Sequence, residues 1–268
     1  MESTGIYHRR LALVLEELDI DYSIVNPKRT SNHAKTIMQR GKTDKADAKM
    51  IADYGEKYKP EVYKMPSDLM LWAQSILKGI NNCYKDLVIM KGRYESDSNN
   101  PMVAKEVLRL DKKRMKALEK EITKLEELLE KRLNEEKKDE IKKIRAITGV
   151  GPRVSSAIVA FFGKFENFET SKQVIGFIGT DPSPRESGTF KGRRFISKQG
   201  NKYLRQVLYM ASLSAGFHNK SCMELRERLK AKGKAHRQIS IAIANKLIRQ
   251  IFAVVKYDRV WDENYVRI

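Results

Sequence analysis

The chain has 268 residues, 41% of them hydrophobic, so it can bury a sizeable core unaided. Its cysteines, Cys83 and Cys222, form no CxxC pair or His cluster, which argues against a disulfide framework and a zinc site. The net charge of +19 exceeds what solubility requires and indicates a polyanionic partner, with nucleic acid as first candidate. Because no stretch approaches roughly 18 apolar residues and the first residues are no signal peptide, we expect a cytoplasmic protein without a membrane partner.

Residues 1–60 predict a short α/β segment. The pattern over residues 8–18 indicates a helix, and the β-branched run at 22–25 indicates a strand that ends in a loop at Asn26 and Pro27. Thr43 is the expected N-cap of a helix over residues 44–52. Since one strand cannot form a stable sheet, we expect this segment to borrow strands or to pack on helices.

Residues 61–145 predict a long helical arm. Apolar residues recur every three or four positions over 69–94 and again over 108–129, and polar residues at 96–101 separate the two runs. This pattern predicts an antiparallel hairpin or coiled coil. Over residues 104–145, 15 Lys/Arg face 11 Asp/Glu, which favours a solvated dimerisation or spacer arm over direct contact with nucleic acid.

Residues 146–268 predict a helical domain, with helices over 155–162, 203–217 and 238–255. Residues 149–152, Gly149-Val150-Gly151-Pro152, are here named the glycine turn. Gly149 and Gly151 could let backbone amides face a phosphate at a helix N-terminus, as in helix-hairpin-helix modules. A tight connection between two helices explains the same residues equally well.

Residues 185–205 carry seven Lys/Arg and one Glu among several glycines. This density predicts phosphate binding by six cations: Arg185, Lys191, Arg193, Arg194, Lys198 and Arg205. Ser187 precedes Gly188, and a serine in such surroundings could attack a phosphodiester. A Ser-Gly step in a loop is more often only a turn. Ser183, between two prolines, and Ser197, just before a helix, are weaker candidates.

Three carboxylates, Glu2, Asp44 and Asp47, form the candidate metal site. Asp44 and Asp47 are three residues apart, so on a helix they share a face and could bind Mg²⁺, which prefers hard oxygen ligands. Two acids at this spacing are also common on solvated helices.

Several motifs occur together in the order found in one family. They lie at residues 2–7, 25–27 and 42–52, then at 147–152, at 184 with 186–188, and at 196–201 with 204–205. In these motifs the chain resembles the IS110 family of transposases over nearly its whole length. The N-terminal block resembles the second half of the family's DEDD-type, RuvC-like (RNase-H-like) nuclease domain, and the C-terminal block resembles its serine-bearing domain.

The resemblance implies a Mg²⁺-dependent DNA transposase or recombinase of prokaryotic insertion sequences, associated with the nucleoid. It implies Glu2, Asp44 and Asp47 as metal-binding acids and Ser187 as the attacking residue. The family's members are guided by a structured noncoding bridge RNA and assemble as dimers and tetramers, so DNA, this RNA and a homodimer or homotetramer are the implied partners.

The chain departs from the family pattern at its start. The family's four acids begin with an Asp on the first strand, tens of residues before the Glu, whereas Glu2 is the second residue here. We therefore expect an N-terminally truncated chain that holds Mg²⁺ poorly. The alternative is a catalytically inactive DNA- or RNA-binding remnant. A coiled-coil interaction protein is a third hypothesis, against which the charge of residues 185–205 argues.

Overall fold

The computed structural model describes residues 1–3, 5–38, 41, 43–183, 186–187, 190–192 and 195–264, with the backbone alone at 186–187 and 190–191. The chain divides into two compact units, Met1–Pro66 and Ser67–Ile268. The predicted arm, from residue 67 onward, and the segment 146–268 fall together in the second unit. Helices dominate the described residues, which confirms the mainly α prediction.

The first unit contains helices α1 (Tyr7–Glu17), α2 (Pro27–Thr36) and α3 (Asp44–Tyr58). His33 of α2 is buried, and its ring lies edge-on to Tyr54 and Tyr58 of α3. Its Nε2 lies 2.7 Å from Oδ2 of Asp53, to which Lys57 also donates. Hydrogen bonds from Lys57 and His33 lower the pKa of Asp53, so this cluster joins α2 to α3.

The strand predicted over residues 22–25 is wrong. In the described residues this segment forms one isolated parallel bridge, between Glu2 and Val25, with N–H···O contacts of 2.9 Å on either side. The Tyr63 N–H donates to the Tyr22 carbonyl at 2.7 Å from another direction along the chain, so the described segment makes single contacts to two partners and no continuous ladder. The predicted loop at Asn26 and Pro27 is instead the start of α2, where Asn26 Oδ1 accepts from the Lys28 N–H at 2.9 Å. Helix α2 has almost no apolar residues, so periodicity did not reveal it.

The arm of the second unit consists of α4 (Asp68–Ser98) and α5 (Lys105–Glu136). The Arg132 guanidinium lies 4.5 Å from the centroid of Trp72 near one end of the arm, and Lys91 pairs with Glu119 at 3.0 Å further along. Since positions rise along α4 as they fall along α5, the helices are antiparallel. The predicted helical hairpin is therefore present.

The described part of the second unit contains six further helices. They are α6 (Lys138–Arg145), α7 (Pro152–Phe162), α8 (Ser171–Ile178), α9 (Lys202–His218), α10 (Lys220–Ala231) and α11 (His236–Lys256). The three helices predicted here correspond to α7, α9 and α11. Leu77 of α4 and Ile122 of α5 belong to the same apolar core as Ile158, Leu208 and Ile248 of α7, α9 and α11. The arm is therefore continuous with the C-terminal helices.

Four two-residue strands lie between α8 and α9, where the sequence indicated a flexible loop. β1 (Pro182–Ser183) pairs antiparallel with β4 (Phe195–Ile196), and β2 (Glu186–Ser187) pairs antiparallel with β3 (Phe190–Lys191). These two nested pairs, residues 182–183 with 195–196 and residues 186–187 with 190–191, are here named the ribbon.

Helix α11 is long and apolar enough by composition to cross a membrane, the one such helix in the described ranges. Half of the relevant window is buried in the core of the second unit. Such burial is typical of the central helix of a folded domain, so α11 is weak evidence for a span.

Candidate active site and nucleic-acid interface

The base of the ribbon is fixed by close backbone contacts. A Cβ added at Gly200 would lie 2.0 Å from the carbonyl oxygen of Phe177, and Gly179 has a φ of +78°. Nη1 of Arg205 donates to the Ile178 carbonyl at 2.8 Å, at the end of α8. Arg205, predicted to bind phosphate, thus has a role inside the fold.

Side-chain hydrogen bonds attach the base of the ribbon to α11. Thr180 Oγ1 donates to Asn245 Oδ1 at 2.6 Å, and Asn245 Nδ2 donates to the Thr180 carbonyl at 3.2 Å, both in the interior. Ser197 Oγ donates to Asp181 Oδ1 at 2.5 Å. The Ser197 hydroxyl is therefore engaged in a contact within the fold.

Ser187 lies at the distal end of the ribbon. Its backbone pairs with Phe190, so two residues separate the paired positions. The side chains of Ser187 and Lys191 lie outside the described residues, as do Arg185, Arg193 and Arg194 entirely. Lys198 is described: it is exposed at the base of the ribbon, with a φ of +54°.

The glycine turn is a packing site. Gly149 has a φ of +92°, and a Cβ there would lie 2.6 Å from the Cβ of Ala215 on α9. Asn219 Nδ2 donates to the Thr148 carbonyl beside it at 3.0 Å. By contrast, Gly151 is exposed at the N-terminus of α7, and a Cβ there would meet nothing within 4 Å. Of the two interpretations, a tight helix connection accounts for Gly149.

The arginines beside the glycine turn are paired with the arm. Nη1 of Arg145 lies 2.7 Å from Glu130 Oε1, and Nη2 of Arg153 lies 2.6 Å from Glu126 Oε1. The two glutamates are one turn apart on α5. The Arg153 guanidinium also lies 4.2 Å from the centroid of the Tyr84 ring. These contacts occupy the cations that a phosphate would need.

Tyr203, at the start of α9, is unsuited to nucleophilic attack. Burial raises its pKa to about 12, and its hydroxyl has no hydrogen-bond partner. The phenol of Tyr203 therefore stays protonated in the ordinary pH range.

The candidate metal-binding acids lie in the first unit. Glu2 Oε2 accepts a hydrogen bond from the buried Thr30 hydroxyl at 2.6 Å. Asp44 and Asp47 occupy the first turn of α3, and Thr43 is its N-cap as predicted, accepting from the Ala46 N–H at 3.2 Å. The carboxylates suit Mg²⁺ chemically. Within the described ranges, however, no three His, Cys, Asp or Glu side chains are grouped to hold a metal ion, so Glu2 does not join the two aspartates.

The residues that anchor the ribbon and the arm could not be predicted from the sequence pattern. Thr180 and Asn245 are 65 positions apart, and Glu126 and Arg153 are 27 apart. No local pattern marks such pairs. A count of charges could have revealed a second cationic segment, at residues 228–237, which was overlooked because it contains only one glycine.

Two family models match this chain. One, described as Transposase IS116/IS110/IS902 family, matches residues 141–227, which include the glycine turn and the ribbon. The other, a transposase model for the DEDD domain of IS110 proteins, matches residues 1–74, which include the three acids.

Curated relatives agree with these models. The pilin gene-inverting protein of Moraxella bovis is 27% identical over 98% of this chain and 81% of its own length. A probable family 20 transposase of Pseudomonas aeruginosa is 27% identical over 56% of the chain and 45% of its own length. The transposase of insertion sequence IS1111A from Coxiella burnetii is 27% identical over 44% of the chain and 33% of its own length.

The matched segments define a transposase, a DNA-processing kind of enzyme whose substrate is DNA. More particularly, the chain belongs to the IS110 family of transposases. Its DEDD domain implies a dependence on divalent metal ions in general.

Proposed function

We propose that this chain cleaves and exchanges DNA strands for an IS110-like insertion sequence, with Ser187 as the nucleophile and Mg²⁺ as the metal ion. A structured noncoding bridge RNA guides it, it works as a homodimer or homotetramer, and it acts in the cytoplasm at the nucleoid. These finer features come from the family resemblance.

One observation carries the proposal: the pairing of Ser187 with Phe190 puts this serine at the far end of a ribbon whose base is fixed to α8, α9 and α11. A reacting group on the inner strand pair can approach a DNA backbone, while the fixed base keeps the ribbon oriented. Around it the sequence places Arg185, Lys191, Arg193 and Arg194, which can neutralise phosphates.

In the proposed step, Ser187 Oγ attacks a DNA phosphorus. A new Oγ–P bond forms as a P–O bond of the backbone breaks, and the proton of the serine passes to the departing DNA hydroxyl. A hydroxyl from a second strand then attacks the phosphorus of the phosphoserine. A new DNA O–P bond forms as the Oγ–P bond breaks, and the proton of that hydroxyl passes to Ser187 Oγ, so one phosphodiester replaces another. Cations beside the phosphate stabilise the charge that develops on its oxygens.

The test is a covalent adduct between protein and DNA on a denaturing gel. We expect the adduct with the wild-type chain at an excess of Mg²⁺, which compensates for the weak metal binding expected from the sequence, and none with Ser187→Ala, which should still bind DNA. Ser183→Ala and Ser197→Ala are matched controls that should retain it. An adduct that persists in Ser187→Ala would refute the assignment, and the absence of any wild-type adduct with DNA binding intact would favour the inactive remnant.

We assign Mg²⁺ to Asp44 and Asp47, with Glu2 as a third ligand that has to come together with them on binding. When bound, the ion would polarise a phosphoryl oxygen. Asp47→Asn keeps the size of the side chain, so it should abolish metal-dependent adduct formation while α3 remains folded by circular dichroism. Glu56→Gln removes an exposed carboxylate from the same helix and should have no effect; equal loss in both variants would refute the assignment.

A further inference from the structure

A second cationic surface lies at the junction of α10 and α11. Residues 228–237, here named the basic turn, contain no Asp or Glu. Five exposed cations occupy it: Arg228, Lys230, Lys232, Lys234 and Arg237. Half of the residues in this segment are therefore positively charged and open to solvent.

These five cations have no carboxylate partner in the described part of the chain. The nearest acid in sequence, Glu227, lies 3.8 Å from the Arg226 guanidinium instead. Arg226 in turn stacks on Phe217, 3.9 Å from the ring centroid. Arg226, which precedes the basic turn, is thus paired, whereas the five cations of the turn have no acidic partner among the described residues. This arrangement raises the positive electrostatic potential at the basic turn.

The backbone of the basic turn is held in one conformation. The Gly233 N–H donates to the Lys230 carbonyl at 2.9 Å, and the Lys234 N–H donates to the Leu229 carbonyl at 3.1 Å. With a φ of +65° at Gly233, these are the two bonds of a Schellman motif, which ends α10. A fixed turn loses less conformational entropy when its side chains bind a charged surface.

The basic turn is rigidly connected to the ribbon. Helix α11 begins at His236, directly within the turn, and carries Asn245, which anchors the base of the ribbon. At 1.5 Å per residue, the anchor lies about 14 Å along this helix from its first residue. DNA bound at the turn is therefore held at a fixed distance from the ribbon.

We propose that the basic turn is a second DNA-binding surface of this protein, which takes the phosphate backbone of duplex DNA without regard to base sequence. Exposed, unpaired Lys and Arg are the groups that neutralise phosphates and displace counterions. Duplex DNA is the occupant because the same helix supports the ribbon, the proposed site of DNA cleavage. In this respect the inference rests on the proposed function.

The experiment is equilibrium binding of a short fluorescent DNA duplex of arbitrary sequence, measured by anisotropy over a salt series. The variant carries Lys230→Gln, Lys232→Gln and Lys234→Gln. The control carries Lys113→Gln, Lys116→Gln and Lys120→Gln, which remove the same charge from exposed lysines of α5. If the three turn lysines contact phosphates, the slope of log K against log salt should become shallower by about 0.9 per lysine in the turn variant only.

An unchanged slope in the turn variant, or an equal change in the control, would overturn the inference. So would a loss of affinity for a folded RNA with affinity for the duplex retained, since it would reassign the surface to RNA. A change confined to the turn variant supports the inference even if no Ser187 adduct forms, so the two proposals can fail separately. Thermal melting of each variant shows that the fold is intact.

Discussion

The glycine turn and the basic turn both join two helices, contain glycine at a positive φ and have arginines nearby. They differ in whether their cations are paired with carboxylates. At the glycine turn, Arg145 and Arg153 are paired with Glu130 and Glu126 of the arm. At the basic turn, five cations have no acidic partner among the described residues. Paired cations join parts of the protein, and unpaired cations are available for DNA. Local charge density alone does not separate the two cases.

The largest expected effect is at Gly149. In Gly149→Ala the new Cβ would lie 2.6 Å from Ala215 Cβ and 2.8 Å from its Cα, at a φ of +92°. Because the backbone of α9 has to move, we expect the free energy of unfolding to fall by about 3 kcal/mol. Urea denaturation measures this change.

Gly151→Ala is the matched control for this substitution. Its Cβ meets no neighbour and its φ is −91°, so the stability should change by no more than about 0.5 kcal/mol. If Gly149→Ala kept the stability of the wild-type chain and lost DNA binding instead, the glycine turn would be a DNA-binding surface. The contrast between the glycine turn and the basic turn would then be wrong.

A smaller effect is expected at the Arg153 and Glu126 pair. The two side chains are 43% and 42% exposed, so solvent screens their attraction and the coupling free energy should be about 0.5 kcal/mol. A double-mutant cycle of Arg153→Ala and Glu126→Ala, measured by urea denaturation, tests this value. A coupling of zero would mean that the contact does not tie the arm to the glycine turn.

The sequence predicted the helices of the arm and α7, α9 and α11 because their apolar residues follow the helical repeat. Helix α2 lacks that repeat and was missed. The strand at 22–25 failed because its β-branched residues make one isolated bridge and no continuous ladder in the described residues. At the glycine turn, the sequence could not distinguish phosphate binding from a tight helix connection. The close contact that explains Gly149 is with Ala215, which is 66 positions away in the sequence. The ribbon's cations and Ser187 stood out locally, whereas its anchors Thr180 and Asn245 did not.

The most direct test of the distinction between paired and unpaired cations compares two double variants that each remove two arginines. Arg145→Gln with Arg153→Gln should lower stability and leave the salt dependence of DNA binding unchanged. Arg228→Gln with Arg237→Gln should leave stability unchanged and make the slope of log K against log salt shallower by about 1.8. The opposite pattern, or the same change of slope in both variants, would contradict the account.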